Sequence, residues 1–172
     1  VDHSLPVMVA NDLKGETRVI WSNYACHCTT IGGRNHINGD WAGYANEIIE
    51  KNTQSAISLV TIGCGADVGP QPSGGLKDAL AHGTSIAKEV NKVINDKLTP
   101  LPGVSSIIKK EINLPLKKPK ERKHWESQLE SGGFNAQLAK SMLKKLDSEG
   151  SISSKVNYPI HSWKFGNELA VV

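Results

Sequence analysis

The chain has 172 residues, with 20 Lys plus Arg against 17 Asp plus Glu and a formal charge of +3 at pH 7. Hydrophobic residues make up 38% and charged residues 22%, a globular composition that excludes the low-apolar, high-charge class of disordered chains. The longest apolar runs, such as Val7-Met8-Val9-Ala10 and Leu169-Ala170-Val171-Val172, fall far short of the roughly 20 residues that cross a bilayer as a helix.

Leu5 to Ala10 reads as a strand, Asn11 to Gly15 as a turn, and Thr17 to Cys26, rich in Val, Ile, Trp and Tyr, as a second strand that pairs with the first as a hairpin. A polar loop follows from Thr29 to Gly39. Asp40 is placed as the N-cap of a helix over Trp41 to Lys51, with Ala45, Ile48 and Ile49 on one face. Ala56 to Ile62 predicts a strand buried on both faces, and Gly63 to Gly75 a second irregular loop. Leu76 to Lys97 predicts a long helix with Leu80, Ile86, Ala87, Val90 and Ile94 as its apolar stripe.

Pro100 and Pro102 lie beyond that helix, and Val104 to Leu116 predicts a strand near a sheet edge, since Pro115 cannot donate to a ladder. Pro119 is read as opening a basic helix through about Gln128 or Leu129, and Gly132-Gly133 breaks it. Asn135 to Leu146 predicts another helix, packing through Leu138, Met142, Leu143 and Leu146. Lys155 to Phe165 and Glu168 to Val172 predict a closing hairpin through Gly166-Asn167. The fold class expected is α/β, a mixed, partly parallel sheet layered with helices. Ligands in such folds gather at the carboxyl ends of strands, and both irregular loops follow strands, so they are expected to meet at one site.

The ends, Val1 in place of Met and a strand-like finish at Val172, read as those of a fragment of a larger catalytic domain. Charge is uneven: residues 1–80 carry five basic and eight acidic residues, net −3, and the remainder carries 15 and nine, net +6. The excess concentrates in Lys109-Lys110, Lys117 to Lys123 and Lys144-Lys145. A solvated helical face and connector is the plain reading, and an anionic-lipid or nucleic-acid surface, including a peripheral membrane contact, the functional one. Trp125 is the one aromatic residue near that run, so stacking on nucleic acid is not supported.

His27, in Ala25-Cys26-His27-Cys28-Thr29-Thr30, is the strongest candidate for chemistry, as a metal ligand or as a hydrogen-bonded structural histidine. If the strand continues through Cys28, His27 points to one face and Cys26 and Cys28 to the other, so one ion does not take all three. Asp40 either caps its helix or orients His27 or a loop amide. Asp67 and Gly69 lie in Gly63-Cys64-Gly65-Ala66-Asp67-Val68-Gly69-Pro70, either a tight connection or a loop whose backbone N–H groups face a ligand. His36 ranks second as a ligand, and His82 is placed inside the long helix, away from both loops. There is no His-Glu-x-x-His and no Cys-x-x-Cys, so the chain alone supplies no three-ligand zinc site.

Together, Asn23 to Thr30, Asn38-Gly39-Asp40-Trp41-Ala42-Gly43-Tyr44-Ala45 and Gly63 to Pro70 resemble the neutral/alkaline ceramidase family, bacterial ceramidase-like branch, in the order and spacing of three motifs. The likeness covers roughly residues 17–97, and Val156 to Val172 fits later strands of the family more weakly. On this resemblance, 1–172 is a single α/β region of a ceramidase-like N-terminal catalytic domain, with a motif-bearing core at 17–97, a basic helical connector at 100–150 and closing strands at 153–172.

The resemblance implies a zinc-dependent amidohydrolase that cleaves an N-acyl lipid with metal-activated water. His27 falls on a zinc ligand of the family, and the other ligands fall outside this chain. Asp67 and the backbone of Gly69 take catalytic positions, and Asn35 and Asp40, near the pocket rim, substrate-binding ones. The family context implies export, to the periplasm, the cell envelope or beyond. The family's catalytic serine position is Gly69 here, which keeps a second reading open: a non-catalytic homologue acting as a binding module.

Overall fold

Alternating side chains along Val7–Asn11 (β1) and Thr17–Tyr24 (β2) give each strand one face to bury, and the two pair antiparallel across a turn. The computed structural model describes residues 2–53, 56–96 and 98–172. Two readings of the sequence, of Val1 and of a helix end at Lys97, lie outside them. The chain divides into two compact units, Val1–Thr99 and Pro100–Val172.

In the first unit the chain passes from β2 through helix α1 (Asp40–Asn52) to β3 (Ile57–Ile62), which pairs parallel with β2, and then into α2 (Leu76–Asn95). The sheet order is β1-β2-β3. Ile20 on β2 faces the helices and is fully buried with Ile49 of α1 and Ala87 and Val90 of α2, while Val7, Val9, Ile86 and Ile94 close the margin. Each of the large aliphatic residues fully buried there is worth about 1.5–3 kcal/mol of transfer free energy. The mixed, partly parallel sheet layered with helices is the fold the alternation predicts.

The other face of this sheet differs from expectation. Ile57 and Leu59 of β3 stand 59% and 48% exposed, so β3 is covered on one face only, because both helices pack on the Ile20 side. Leu80 of α2 is likewise 47% exposed; the rest of the expected stripe holds, with Ala87 and Val90 fully buried and Ile86 and Ile94 against the core, and Ala79 and Gly83 join it.

In the second unit, β4 (Val104–Pro115) and β5 (Lys155–Phe165) form a long antiparallel ribbon, and β6 (Leu169–Val171) adds to one end of β5. The sheet order β4-β5-β6 puts β4 at an edge, as the terminal proline requires. Helix α3 (Arg122–Gln128) starts three residues after Pro119, with Glu121 still extended, and a short 3-10 turn at Leu129–Ser131 leads to α4 (Gly133–Glu149). Gly132, at φ 72°, makes the break that the glycine pair predicts.

Small residues set how closely α1 and α2 approach. A Cβ added at Gly83 would lie 2.6 Å from Tyr44 Cβ and 2.7 Å from Trp41 O on the facing helix. On helix propensity alone Gly83→Ala would stabilise by about 1 kcal/mol. Forcing the helices apart costs about 1–3 kcal/mol and outweighs it. Urea unfolding of the variant is expected to show a lower midpoint than wild type; a raised midpoint would contradict this packing.

Candidate functional site

β2 and β3 run in the same direction with Tyr24 opposite Ile62, so the chain leaves both at the same edge of the sheet. Gly63 N–H donates to Tyr24 O at 3.0 Å, extending the ladder past β3. Beyond it the two backbones nearly touch: a Cβ on Gly65 would fall 2.5 Å from the carbonyl carbon of Ala25 and 2.6 Å from Cys26 N. Only glycine fits there. The close approach lets His27 N–H donate to Val68 O at 2.9 Å, and places His27 Nε2 3.2 Å from Ala66 O. A carbonyl only accepts, so in the neutral ring this contact favours the tautomer with the proton on Nε2.

β2 ends at Tyr24, where Cys26 N–H turns back to Tyr24 O at 3.0 Å, so strand alternation does not govern Cys26 to Cys28 as the sequence reading supposed. All three cysteines are free thiols. Burial pushes the Cys26 thiol up, with the Asp40 carboxylate adding to it. Cys28 is also raised, through desolvation first and then Asp40 and Cys26 against an opposing Ala42 N–H. Neither offers a ready thiolate.

Asp40 is the buried electrostatic element, 3% exposed. The helix N-cap is Gly39, a correction to the sequence reading; Asp40 itself opens α1 with φ 54°, a conformation that Asp tolerates better than most residues. Its Oδ1 accepts from Trp41 N–H at 2.8 Å and its Oδ2 from Ile31 N–H at 3.0 Å, while its own N–H donates to Asn38 Oδ1 at 2.7 Å. Of the two roles weighed from sequence, the structure selects orientation of a loop amide. Both carboxylate oxygens are engaged by loop and helix amides, and Asp40 shapes the loop. Burial alone would raise its pKa, but Thr30 and the amides of Ile31 and Trp41 together outweigh it and hold the carboxyl below its ordinary value.

Neighbouring residues lock the two loops together. Trp41 Nε1 donates to His27 O at 2.9 Å, Gly74 N–H to Thr30 O at 2.8 Å, and the Arg34 guanidinium to Ile31 O at 3.1 Å and Gly74 O at 2.9 Å. His82 belongs to this junction too, since its Nε2 donates to Pro72 O at 2.7 Å; the loop folds back over α2, which the sequence position of His82 did not reveal. The sequence reading also passed over Arg34 and Trp41, although Trp41 stands next to Asp40 in the second motif.

His27, Asp67 and Gly69 are exposed on the joined loops. A Cβ at Gly69 would meet only Thr29 Oγ1, at 3.9 Å. Asn35 is exposed and, among the described residues, forms no hydrogen bond to His27 or to the 63–75 loop. No three of the described His, Cys, Asp and Glu residues gather closely enough to hold a metal ion. The described residues therefore do not by themselves make a zinc site; the His27 ring is oriented by a backbone carbonyl, the kind of partner that ligating histidines usually have.

No protein-family model matches the sequence, and no curated protein sequence matches it. Among solved structures the chain matches the neutral ceramidase from Pseudomonas aeruginosa, with a TM-score of 0.66 and 15% sequence identity over 96% of this chain. The two share a fold over that length. The chain spans about a third of the ceramidase chain, 33% of its residues.

A lowered carboxyl pKa in the folded state stabilises the fold above the ordinary carboxylate range, and that contribution is lost as the pH falls through the folded value. Asp40→Asn, which tolerates the same φ, is expected to cost about 1–3 kcal/mol near pH 7. The gap to wild type should close on acidification below the carboxylate range. Chemical unfolding at several pH values checks this; a gap independent of pH would contradict the assignment.

Proposed function

We propose that this chain forms part of a hydrolase that cleaves the amide bond of an N-acyl lipid of the ceramide type. The observation that carries the reading is the junction of two motif loops at the carboxyl ends of parallel strands, with His27 hydrogen-bonded through backbone and ring to the loop that bears Asp67 and Gly69. The fold shared with the Pseudomonas neutral ceramidase supports the same class of reaction.

In this reading His27 is a ligand to a zinc ion, and, since no three of the described His, Cys, Asp and Glu residues gather to hold a metal, further ligands come from elsewhere in the whole protein. Asp67 and the backbone N–H of Gly69 face the acyl carbonyl, and Asn35 lies at the rim of the substrate pocket. Asp40 and Arg34 keep the first loop in place. The proposed setting is an exported enzyme, periplasmic, envelope-associated or secreted, which places it with lipid substrates.

Gly69 favours a second reading, a binding homologue without turnover, because it offers no hydroxyl to a developing oxyanion. The space beside it separates the two. Gly69→Ser fits, since its Cβ would have no contact closer than 3.9 Å.

Hydrolysis of an N-acylsphingosine by the whole protein is the test. Turnover that His27→Ala lowers by about 100-fold or more, with an unchanged melting temperature, supports the hydrolase. An inert wild type that gains turnover as Gly69→Ser supports the binding homologue. Wild-type turnover unaffected by His27→Ala would overturn the role given to this residue.

A further inference from the structure

One gap in the joined loops is bordered by two hydrogen-bond donors, one from each loop. Gly69 is exposed, and the space where a side chain would stand has a single close neighbour, Thr29 Oγ1 at 3.9 Å. Among the described residues, neither the Thr29 hydroxyl nor the Gly69 N–H makes a hydrogen bond. By standard geometry the Gly69 nitrogen lies about 2.5 Å from its side-chain position, so the two donors stand no more than about 6.4 Å apart. One acceptor oxygen seated between them can take two hydrogen bonds of up to about 3.2 Å.

The backbone holds both donors in place. Two residues before Thr29, His27 N–H donates to Val68 O at 2.9 Å, and Val68 is next to Gly69. One residue after it, the Thr30 carbonyl accepts from Gly74 N–H at 2.8 Å, and the Thr29 carbonyl itself accepts from Gly32 N–H at 3.4 Å. A β-branched side chain on a fixed backbone has few χ1 positions open to it, so the hydroxyl loses little freedom on meeting a ligand. The other hydroxyls of these loops are placed differently: Thr30 is buried, at 1% exposure, and Ser73 follows Pro72, whose carbonyl is held on α2 by His82.

The donors select the kind of acceptor. A resident anion calls for a guanidinium or an ammonium, and no cationic side chain comes within 4 Å of this space. Two neutral donors in a fixed frame suit an oxygen that gains charge only during a reaction.

We propose that Thr29 donates the side-chain hydrogen bond to the acyl oxygen during amide hydrolysis, beside the N–H of Gly69; this rests on the hydrolase reading above. The oxygen of water bonds to the acyl carbon, and the carbonyl π pair moves onto the acyl oxygen, to which Thr29 Oγ1–H and Gly69 N–H donate as its charge grows. That pair returns as the C–N bond breaks, and the amine leaves with one proton from the attacking water. Thr29 keeps its own proton throughout.

Steady-state hydrolysis of an N-acylsphingosine by the whole protein tests this. Thr29→Val keeps the side-chain shape and removes the hydroxyl. It is expected to lower kcat about a hundredfold while KM moves less than about threefold, with an unchanged melting temperature. Thr29→Ser is expected to stay within about tenfold of wild type, and Gly69→Ser, whose oxygen enters the same space, to return about tenfold or more of the turnover that Thr29→Val loses. An active wild type with Thr29→Val unimpaired overturns the role of Thr29 and leaves the hydrolase reading standing. Equal losses in Thr29→Val and Thr29→Ser, or a lowered melting temperature, mark a structural part only and overturn it as well. A wild type without turnover removes the hydrolase reading itself, and the role of Thr29 with it.

Discussion

The parallel pairing of β2 with β3 is the constraint from which the site follows. Antiparallel strands would send their following loops to opposite ends of the sheet. Here Tyr24 and Ile62 face each other, both chains exit together, and loops 38 residues apart in sequence become neighbours. The contact is tight because Gly65 has no side chain to hold it off from Ala25 and Cys26. His27 is thereby fixed from three sides: its N–H by Val68, its ring by Ala66, and its carbonyl by the Trp41 indole.

The helical layer maintains that junction. Trp41, 2% exposed, belongs at once to the helix–helix interface, where Gly83 admits α2, and to the loop that carries His27. Asp40 beside it anchors Ile31, and Thr30 in turn receives the Gly74 amide. Packing of α1 on α2 is therefore coupled to the placement of the histidine through one dipeptide. A buried carboxylate earns its desolvation by satisfying amides that loop geometry would otherwise leave unpaired.

Much of the fold is written in local patterns. The strands around Ile20 and the helices around Ala45 and Val90 follow from periodicity, and the breaks at Gly132 and Gly166 from the freedom of glycine. What local pattern does not encode is what covers a face or where a loop folds back. The apolar run at Ile57–Ile62 reads the same whether one layer or two lie against it, and the structure supplies one. Asp40 before a helix reads as a cap, yet the amide of Ile31, nine residues back, draws its second oxygen. His82 looks remote by helix register, but the return of Pro72 over α2 brings it to the junction. In the site, the meeting of the two loops was legible; the tethers Arg34 and Trp41 were not, because their partners are carbonyls, which leave no trace in side-chain sequence.

The central claim is that the 63–75 loop orients His27, holding the ring by a contact that favours the proton on Nε2. Long-range 1H–15N correlation of the histidine ring nitrogens measures this directly in the neutral form. The account predicts that His27 is protonated at Nε2, with an Nδ1 shift characteristic of an unprotonated nitrogen. A ring protonated at Nδ1, or one averaging rapidly between tautomers, would contradict it.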